Sequence, residues 1–344
     1  MAETWFSIPP ERIAREPLAQ RDGAGLLHWH KDGRLVDRRI PDLLELLQPG
    51  DLLVVNDVRV VPARVAVERP GGGVGELLFI QPWQGDDELW MAWGRPAKRL
   101  AGRFLRSPIG DLRTEAQRTA TGGLLVRLAS GAALSPALER AGELPLPPYL
   151  QRPETPQDRS RYQTVYAKTS GAVAAPTAGL HLTEALLGAL EQRGVELASL
   201  TLHVGPGTFQ PIRSERVEDH ELMPEYCVIL PETAAAVARC RERGGRVAAV
   251  GTTVVRSLEK AAQEGGGEVQ AWQGFNPLYL YPGGPPIQAV DLLLTNFHLP
   301  ESSLIQLVAA FAGLERTQAA YAHALAGDYR FYSYGDANWI ERSP

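Results

Sequence analysis

The chain has 344 residues, 44% hydrophobic and 22% charged, with a formal net charge of −5. That is enough apolar material to bury sizeable cores and to divide into two domains, and the acidic balance excludes a protein that coats nucleic acid through bulk positive charge while leaving room for a local basic face. No apolar run approaches the roughly 20 residues of a membrane helix, Met1-Ala2-Glu3-Thr4-Trp5 lacks the layout of a signal peptide, and Cys227 and Cys240 fit neither a redox pair nor a zinc ligand set; a cytoplasmic monomer without disulfide, metal or membrane contact is expected.

In chain order, Pro9-Pro10-Glu11-Arg12-Ile13 is spaced as a helix start, and Asp51-Leu52-Leu53-Val54-Val55-Asn56-Asp57 as a buried strand ending in polar residues. From Val67 to about Gly142 the pattern changes to short apolar runs, Glu76–Ile80, Glu88–Trp93 and Leu124–Leu128, separated by glycine and proline. This spacing predicts a small antiparallel β-barrel over residues 66–148, inserted into a large mixed α/β domain made of residues 1–65 and 149–344. Leu144-Pro145-Leu146-Pro147-Pro148-Tyr149 reads as a stiff linker back to that body. Within the barrel segment, Arg95, Lys98, Arg99, Arg103, Arg106, Arg113, Arg118 and Arg127 are set against only Asp111 and Glu115, a run that fits a solvated surface as well as a phosphate-binding face.

The body repeats one pattern at three places: an apolar run, a polar loop and a helix start. Val173-Ala174-Ala175 breaks at Pro176-Thr177-Ala178-Gly179, Val247–Val250 runs into Gly251-Thr252-Thr253, and Val290–Leu294 runs into Thr295-Asn296-Phe297-His298. The expected positions are the carboxyl ends of strands, where open α/β sheets bind ligands. Leu197–Val204 contains His203 near its end and is followed by Gly205-Pro206-Gly207-Thr208-Phe209, whose glycines admit close approach of backbone to a ligand. His181, His203 and His298 are expected to converge on one cleft, although a satisfied structural histidine is the competing reading for each.

Gly251-Thr252-Thr253 precedes a helical pattern over Val254–Ala262, so its amides at the positive dipole end suit a carboxylate or phosphate, with Arg256 as a forked partner. An ordinary threonine cap with Arg256 in solvent explains the same residues. The acidic candidates are Asp57, Asp219, Glu225 and Asp336. Tyr329–Tyr334 alternates aromatics as a half-exposed strand, and a glycine turn after it would project Asp336. His28, His30 and His323 have no such context and are expected on the surface or on a helix face.

Long, irregular motifs in a fixed order then carry a resemblance. Gly50–Arg64, Tyr162–Tyr166, Val173–His181, Thr201–Phe209, Val250–Glu259, Thr295–Pro300 and Tyr334–Ala337 make the chain similar, over essentially its full length, to the S-adenosylmethionine:tRNA ribosyltransferase-isomerase family of queuosine biosynthesis. The resemblance implies transfer of the ribosyl unit of S-adenosylmethionine, rearranged to an epoxycyclopentanediol, onto a 7-aminomethyl-7-deazaguanine base at the wobble position of a tRNA, with release of adenine and methionine. It implies S-adenosylmethionine as co-substrate, no permanently bound cofactor, and tRNA as partner. The sulfonium makes the C5′ protons acidic, so a general base is required, His203 or Asp336, together with a group that helps adenine leave, His181 or Glu225. Implied substrate-binding residues are Asp57, Arg59, Arg64, Thr177, Gly179, Gly205, Gly207, Thr208, Gly251, Thr252, Thr253, Arg256, Asn296, His298 and Tyr334, and Arg99, Arg103 and Arg106 are assigned to tRNA.

The chain departs from the family pattern at Ala24-Gly25, where Ser-Arg is usual, and at Met223, which replaces the second histidine of a His-x-Met-His-x-Glu motif; Leu182 and Asn338 replace phenylalanine and methionine. Two other classes fit the residue types. One is a metal-dependent hydrolase of a nucleotide-like substrate, with His181, His203, His220, His298 and Asp336 as ligands; the other is a non-catalytic tRNA-binding protein carried by the basic barrel.

Overall fold

The computed structural model describes residues 6–84, 86–119, 122–205, 212 and 214–343. The chain begins with one 3-10 turn, Pro10–Arg12, in place of a full helix. Strands β1 (Gly25–Trp29) and β2 (Leu35–Arg39) form an antiparallel hairpin, followed by helix α1 (Leu43–Leu46), β3 (Leu52–Asn56) and the short β4 (Val58–Val60). β3 is buried at every position, the mark of a strand covered on both faces. Its side chains alternate between two cores: Leu52 and Val54 pack in a cluster with Val254, Val255 and Leu258, while Leu53 and Val55 join Leu186, Leu187 and Leu190.

Next come β5 (Arg64–Glu68), β6 (Val74–Trp83), β7 (Asp86–Arg95), helix α2 (Ala97–Leu100), β8 (Phe104–Leu105), β9 (Leu112–Arg118) and β10 (Leu124–Leu128). These strands pair antiparallel in the order β5-β6-β7-β10-β9-β8. Backbone hydrogen bonds of 2.9 and 3.0 Å between Glu68 and Arg106 join the two edges, so the sheet closes as the expected small barrel. Period-two alternation places Val65, Val67, Leu77, Phe79, Leu112, Leu124 and Val126 inside, and helix α3 (Leu134–Ala141) adds Leu134, Ala137 and Leu138 to the same core.

The segment expected as a stiff linker is a packed strap. Glu143 pairs with Arg64 through backbone bonds of 3.0 and 2.9 Å, and Leu144 and Leu146 are buried with Val60, Tyr162 and Tyr334. Prolines alternate with leucines here, so the stiff backbone delivers apolar side chains to one face. After helix α4 (Asp158–Arg161), β11 (Thr169–Ala172) pairs parallel with β4, which brings the chain back beside the point where it left.

The remaining strands, β12 (Glu196–Leu202), β13 (Glu225–Ile229), β14 (Val247–Val250), β15 (Trp272–Asn276), β16 (Leu292–Asn296) and β17 (Ala337–Glu341), complete a nine-stranded sheet of order β15-β13-β12-β3-β14-β16-β17-β1-β2. Its centre, β12-β3-β14-β16, is parallel. Helices α5 (Glu184–Gln192), α6 (Pro231–Glu242), α7 (Thr252–Glu264), α8 (Ser303–Ala312) and α9 (Leu314–Ala326) pack around it. This is the mixed α/β body with an antiparallel barrel that the sequence predicts. Among the described residues, no helix is long and apolar enough to cross a membrane.

One side chain joins β3, β4 and β12. Asn56, fully buried, donates from Nδ2 to the Leu202 carbonyl at 3.0 Å and accepts at Oδ1 from the amides of Leu202 at 3.0 Å and Val58 at 3.2 Å. Asn56→Ala would leave three buried backbone groups short of a partner, and a loss of about 3 kcal/mol is expected in urea unfolding; a loss below about 0.5 kcal/mol would show that these bonds add no net stability.

Candidate active site

The three polar loops meet. Beyond β11 the chain reaches a 3-10 turn, Thr177–His181; α7 starts at Thr252 behind Gly251, whose φ of +93° lies in the region glycine tolerates; and β16 runs into Phe297 and His298. Thr177, Gly251, Thr252, Thr253, Asn296 and His298 line one pocket of about 60 Å³, with Tyr149, Tyr332 and Ser333 on its other side. The first amides of α7 give this small pocket a positive end.

Arg256 does not contribute to it. The guanidinium is buried, with Nη1 on Glu225 Oε2 at 2.7 Å, Nε on the Leu278 carbonyl at 2.8 Å and Nη2 on the Asn276 carbonyl at 3.2 Å. The other carboxylate oxygen of Glu225 accepts the Gly205 amide at 2.8 Å. Charges at this depth are held by opposite charge and fixed donors, so Arg256 and Glu225 tie α7 to β13, and neither is an anion ligand or a proton donor in the pocket.

Nor do the three histidines converge. His298 lines the small pocket with Nε2 2.8 Å from Thr295 Oγ1, and burial pushes its pKa down to about 3. His181 lies behind Asn296, 3.0 Å from Nε2 to Nδ2, and burial, with Arg330 and Arg21 nearby, lowers its pKa to about 4. Burial thus favours the neutral form of both rings at physiological pH. His203 lies just past β12 beside Val204, which lines the small pocket, but its own ring faces a different cleft.

That second cleft, about 770 Å³, lies between the large sheet and the barrel and is lined by Arg59, Trp90, Glu139, Gly171, His203, Tyr226 and Phe275, among others. His203 Nδ1 is 3.1 Å from the Gly171 carbonyl. A carbonyl only accepts, so Nδ1 carries the hydrogen and Nε2 keeps the lone pair of a base. Burial lowers the His203 pKa, and the Gly171 bond and the charge of Asp57 oppose that shift. Asp57 is itself held by Ser199 Oγ at 3.0 Å and Thr201 Oγ1 at 2.7 Å. Gly171 has a φ of +131°, and a Cβ there would stand 2.7 Å from His203 Nδ1, so only glycine admits the ring. Arg59 donates to Ser170 Oγ at 3.1 Å and pairs with Glu139 of α3. Phe275, 55% exposed, meets Tyr226 edge-on at 5.4 Å.

Several expected site residues serve the fold instead. Asp336 lines neither cleft: it accepts the amides of Gly25 and Arg330, both at 2.7 Å, and closes a loop. Tyr329–Tyr334 is not a half-exposed strand; its aromatics are buried, with Phe331 packed 5.1 Å from Phe297, because the core requires their bulk. Tyr334 donates to Asp158 at 2.9 Å, and Arg152 grips the same carboxylate at 2.6 and 2.8 Å. Arg64 donates to the Leu146 carbonyl at 3.1 Å. A Cβ on Gly179 would lie 1.9 Å from Tyr166 Oη, so that glycine serves packing. Gly207 and Thr208 lie outside the described residues. His220 packs against Tyr279, with ring centroids 5.3 Å apart, and among the described residues the five supposed metal ligands form no metal-capable group. His323 sits on α9 beside Asp37, as a helix-face residue should.

Sequence reading missed Gly171, Glu139, Tyr226 and Phe275. Their only signals were a glycine just before an apolar run and aromatics on strands whose pairing, Tyr226 opposite Phe275, is set by the fold.

Loops at strand ends that build two clefts, one presenting an oriented imidazole base, define an α/β enzyme. The chain matches the family described as queuosine biosynthesis protein over residues 1–340. It belongs to that family, as its motifs led us to expect. It is also similar to the crystal structure of S-adenosylmethionine tRNA ribosyltransferase from Thermotoga maritima, with 31% identity, coverage of 97% of this chain and 98% of that one, and a TM-score of 0.56.

The buried histidines give a pH signature. Unfolded, each binds a proton near its ordinary pKa of 6.5; folded, His181 does so only near 4 and His298 near 3. The unfolded state therefore holds more protons in that window, and stability falls as pH drops below about 6.5, by up to about 1.4 kcal/mol per pH unit for each histidine. Urea titrations from neutral pH downward measure this slope. His298→Gln should lower it, and a flat profile would overturn the assignment.

Proposed function

We propose that this chain transfers and isomerises the ribosyl unit of S-adenosylmethionine onto 7-aminomethyl-7-deazaguanine at the tRNA wobble position, releasing adenine and methionine. Family membership and the ribosyltransferase neighbour support the reaction, and the observation that carries the mechanism is the His203 ring, fixed by the Gly171 carbonyl with its lone pair on Nε2. A cleft of about 770 Å³ suits a nucleoside and a base together. There Nε2 removes a C5′ proton next to the sulfonium, and the charge of Asp57 and the Gly171 carbonyl stabilise the imidazolium that forms. The small pocket at the start of α7 suits the methionine carboxylate. Tyr226 and Phe275 offer ring faces to a base flipped from the anticodon.

Residues 66–148 act as an inserted unit, supported by their closed barrel and separate core. Its Arg99, Arg103 and Arg106 are exposed and suit tRNA phosphates. The enzyme works as a cytoplasmic monomer without a resident cofactor. A metal-dependent hydrolase has no support from the scattered histidines, and a pure binding protein leaves the oriented base of His203 unexplained.

His203→Gln should lower kcat by roughly 10²–10⁴, followed as adenine release and as the mass of the modified nucleoside, while S-adenosylmethionine binding is kept. Unchanged turnover would rule His203 out as the base. Alanine at Arg99, Arg103 and Arg106 together should raise the KM for tRNA and reduce the slope of log K against log salt by roughly 2–3. If the salt slope is unaltered, the tRNA footprint lies elsewhere.

A further inference from the structure

We propose that His28, His30 and Glu341 form a binding site for one divalent transition-metal ion, zinc before others, at the joint of β1 and β17. The site shares no residue with either cleft. His28 and His30, expected on a surface or helix face, lie on and just beyond a buried strand. Two positions apart on an extended chain, their rings leave the same side. The parallel register Trp29↔Ile340, continued by one residue, sets Glu341 beside His30.

The donor atoms are already grouped. Glu341 Oε1 is 2.9 Å from His28 Nε2 and 3.7 Å from His30 Nδ1, and one donor from each residue lies within 4.8 Å of the others. In a tetrahedral site with bonds of about 2.1 Å, neighbouring donors stand about 3.4 Å apart, between the two Glu341–histidine distances, so side-chain adjustments admit the ion. The other Glu341 oxygen accepts the Lys31 amide at 3.1 Å, which orients the carboxylate.

His28 is 3% exposed, and its ring is fixed by the contact of Nε2 with Glu341 Oε1. The two rings lie with centroids 3.8 Å apart, which keeps both on one side of the joint. Arg38 pairs with Glu45 at 3.1 Å, and Arg316 donates to the carbonyls of Trp29, His30 and Glu341 at 3.3, 2.7 and 3.2 Å, which fixes the backbone around the three side chains. His30 and Glu341 side chains are each 22% exposed, which gives the ion a way in and leaves room for water as a further ligand.

The test is calorimetric titration of untagged, metal-stripped full-length protein with Zn²⁺, repeated with Co²⁺ to read its visible d–d bands. Because His28 is buried, the variants are His30→Ala and Glu341→Gln, with folding checked by circular dichroism. One equivalent of Zn²⁺ should bind the wild type and raise its Tm, and each variant should bind at least roughly tenfold more weakly. No binding by the wild type, or equal binding by both folded variants, would overturn the site.

Discussion

The buried amide of Asn56 is the constraint on which the catalytic half of the molecule depends. It ends the central strand β3, starts β4 and grips both backbone groups of Leu202. Asp57 and His203 are the next residues after these anchored positions, so the carboxylate and imidazole inherit their separation from one side chain. β4 in turn carries Arg59 and pairs with β11, which supplies Gly171 to the His203 ring. Hydrogen bonding inside the core thus sets the geometry of groups that face solvent.

A second theme is how often polarity serves architecture. Arg256 with Glu225, Arg152 with Asp158, and Arg246 with Asp51 at 2.6 Å are ion pairs with a deeply buried carboxylate. The first and third link segments distant in sequence, the second closes a local loop, and in each case removing one partner would leave a buried charge alone. The helix start of α7 belongs to the small cleft, and the Arg59–Glu139 ion pair and the His203 imidazole to the large one.

The sequence made the architecture legible because its signals are local. Continuous apolar runs marked β3, β14 and β16, and short glycine-bounded runs marked the barrel. Two of the three polar loops follow located strands, which brings Thr252 and Asn296 together, whereas the run Val173–Ala175, read as a strand before Pro176, lies past the end of β11 at Ala172. What stayed hidden depends on which cleft each side chain enters. Nothing local says that His203 and Val204, neighbours at one strand end, line different clefts, so His203 reads in sequence as a companion of His181 and His298. Residue type also misled wherever burial decides the role, as for Arg256, Asp336 and Tyr334, whose partners lie 31, 311 and 176 positions away.

The position of β17 between β16 and β1 has a consequence for biogenesis. Leu26 pairs with Ala337, so the β1-β2 hairpin has no docking edge until β17, far along the chain, has been made. Body closure is therefore of very high contact order, whereas the barrel is built from neighbouring hairpins and can form before it. A nonsense codon that removed β17 would strip three strands from the sheet rather than one, exposing Leu294 and the apolar face of β1 to aggregation.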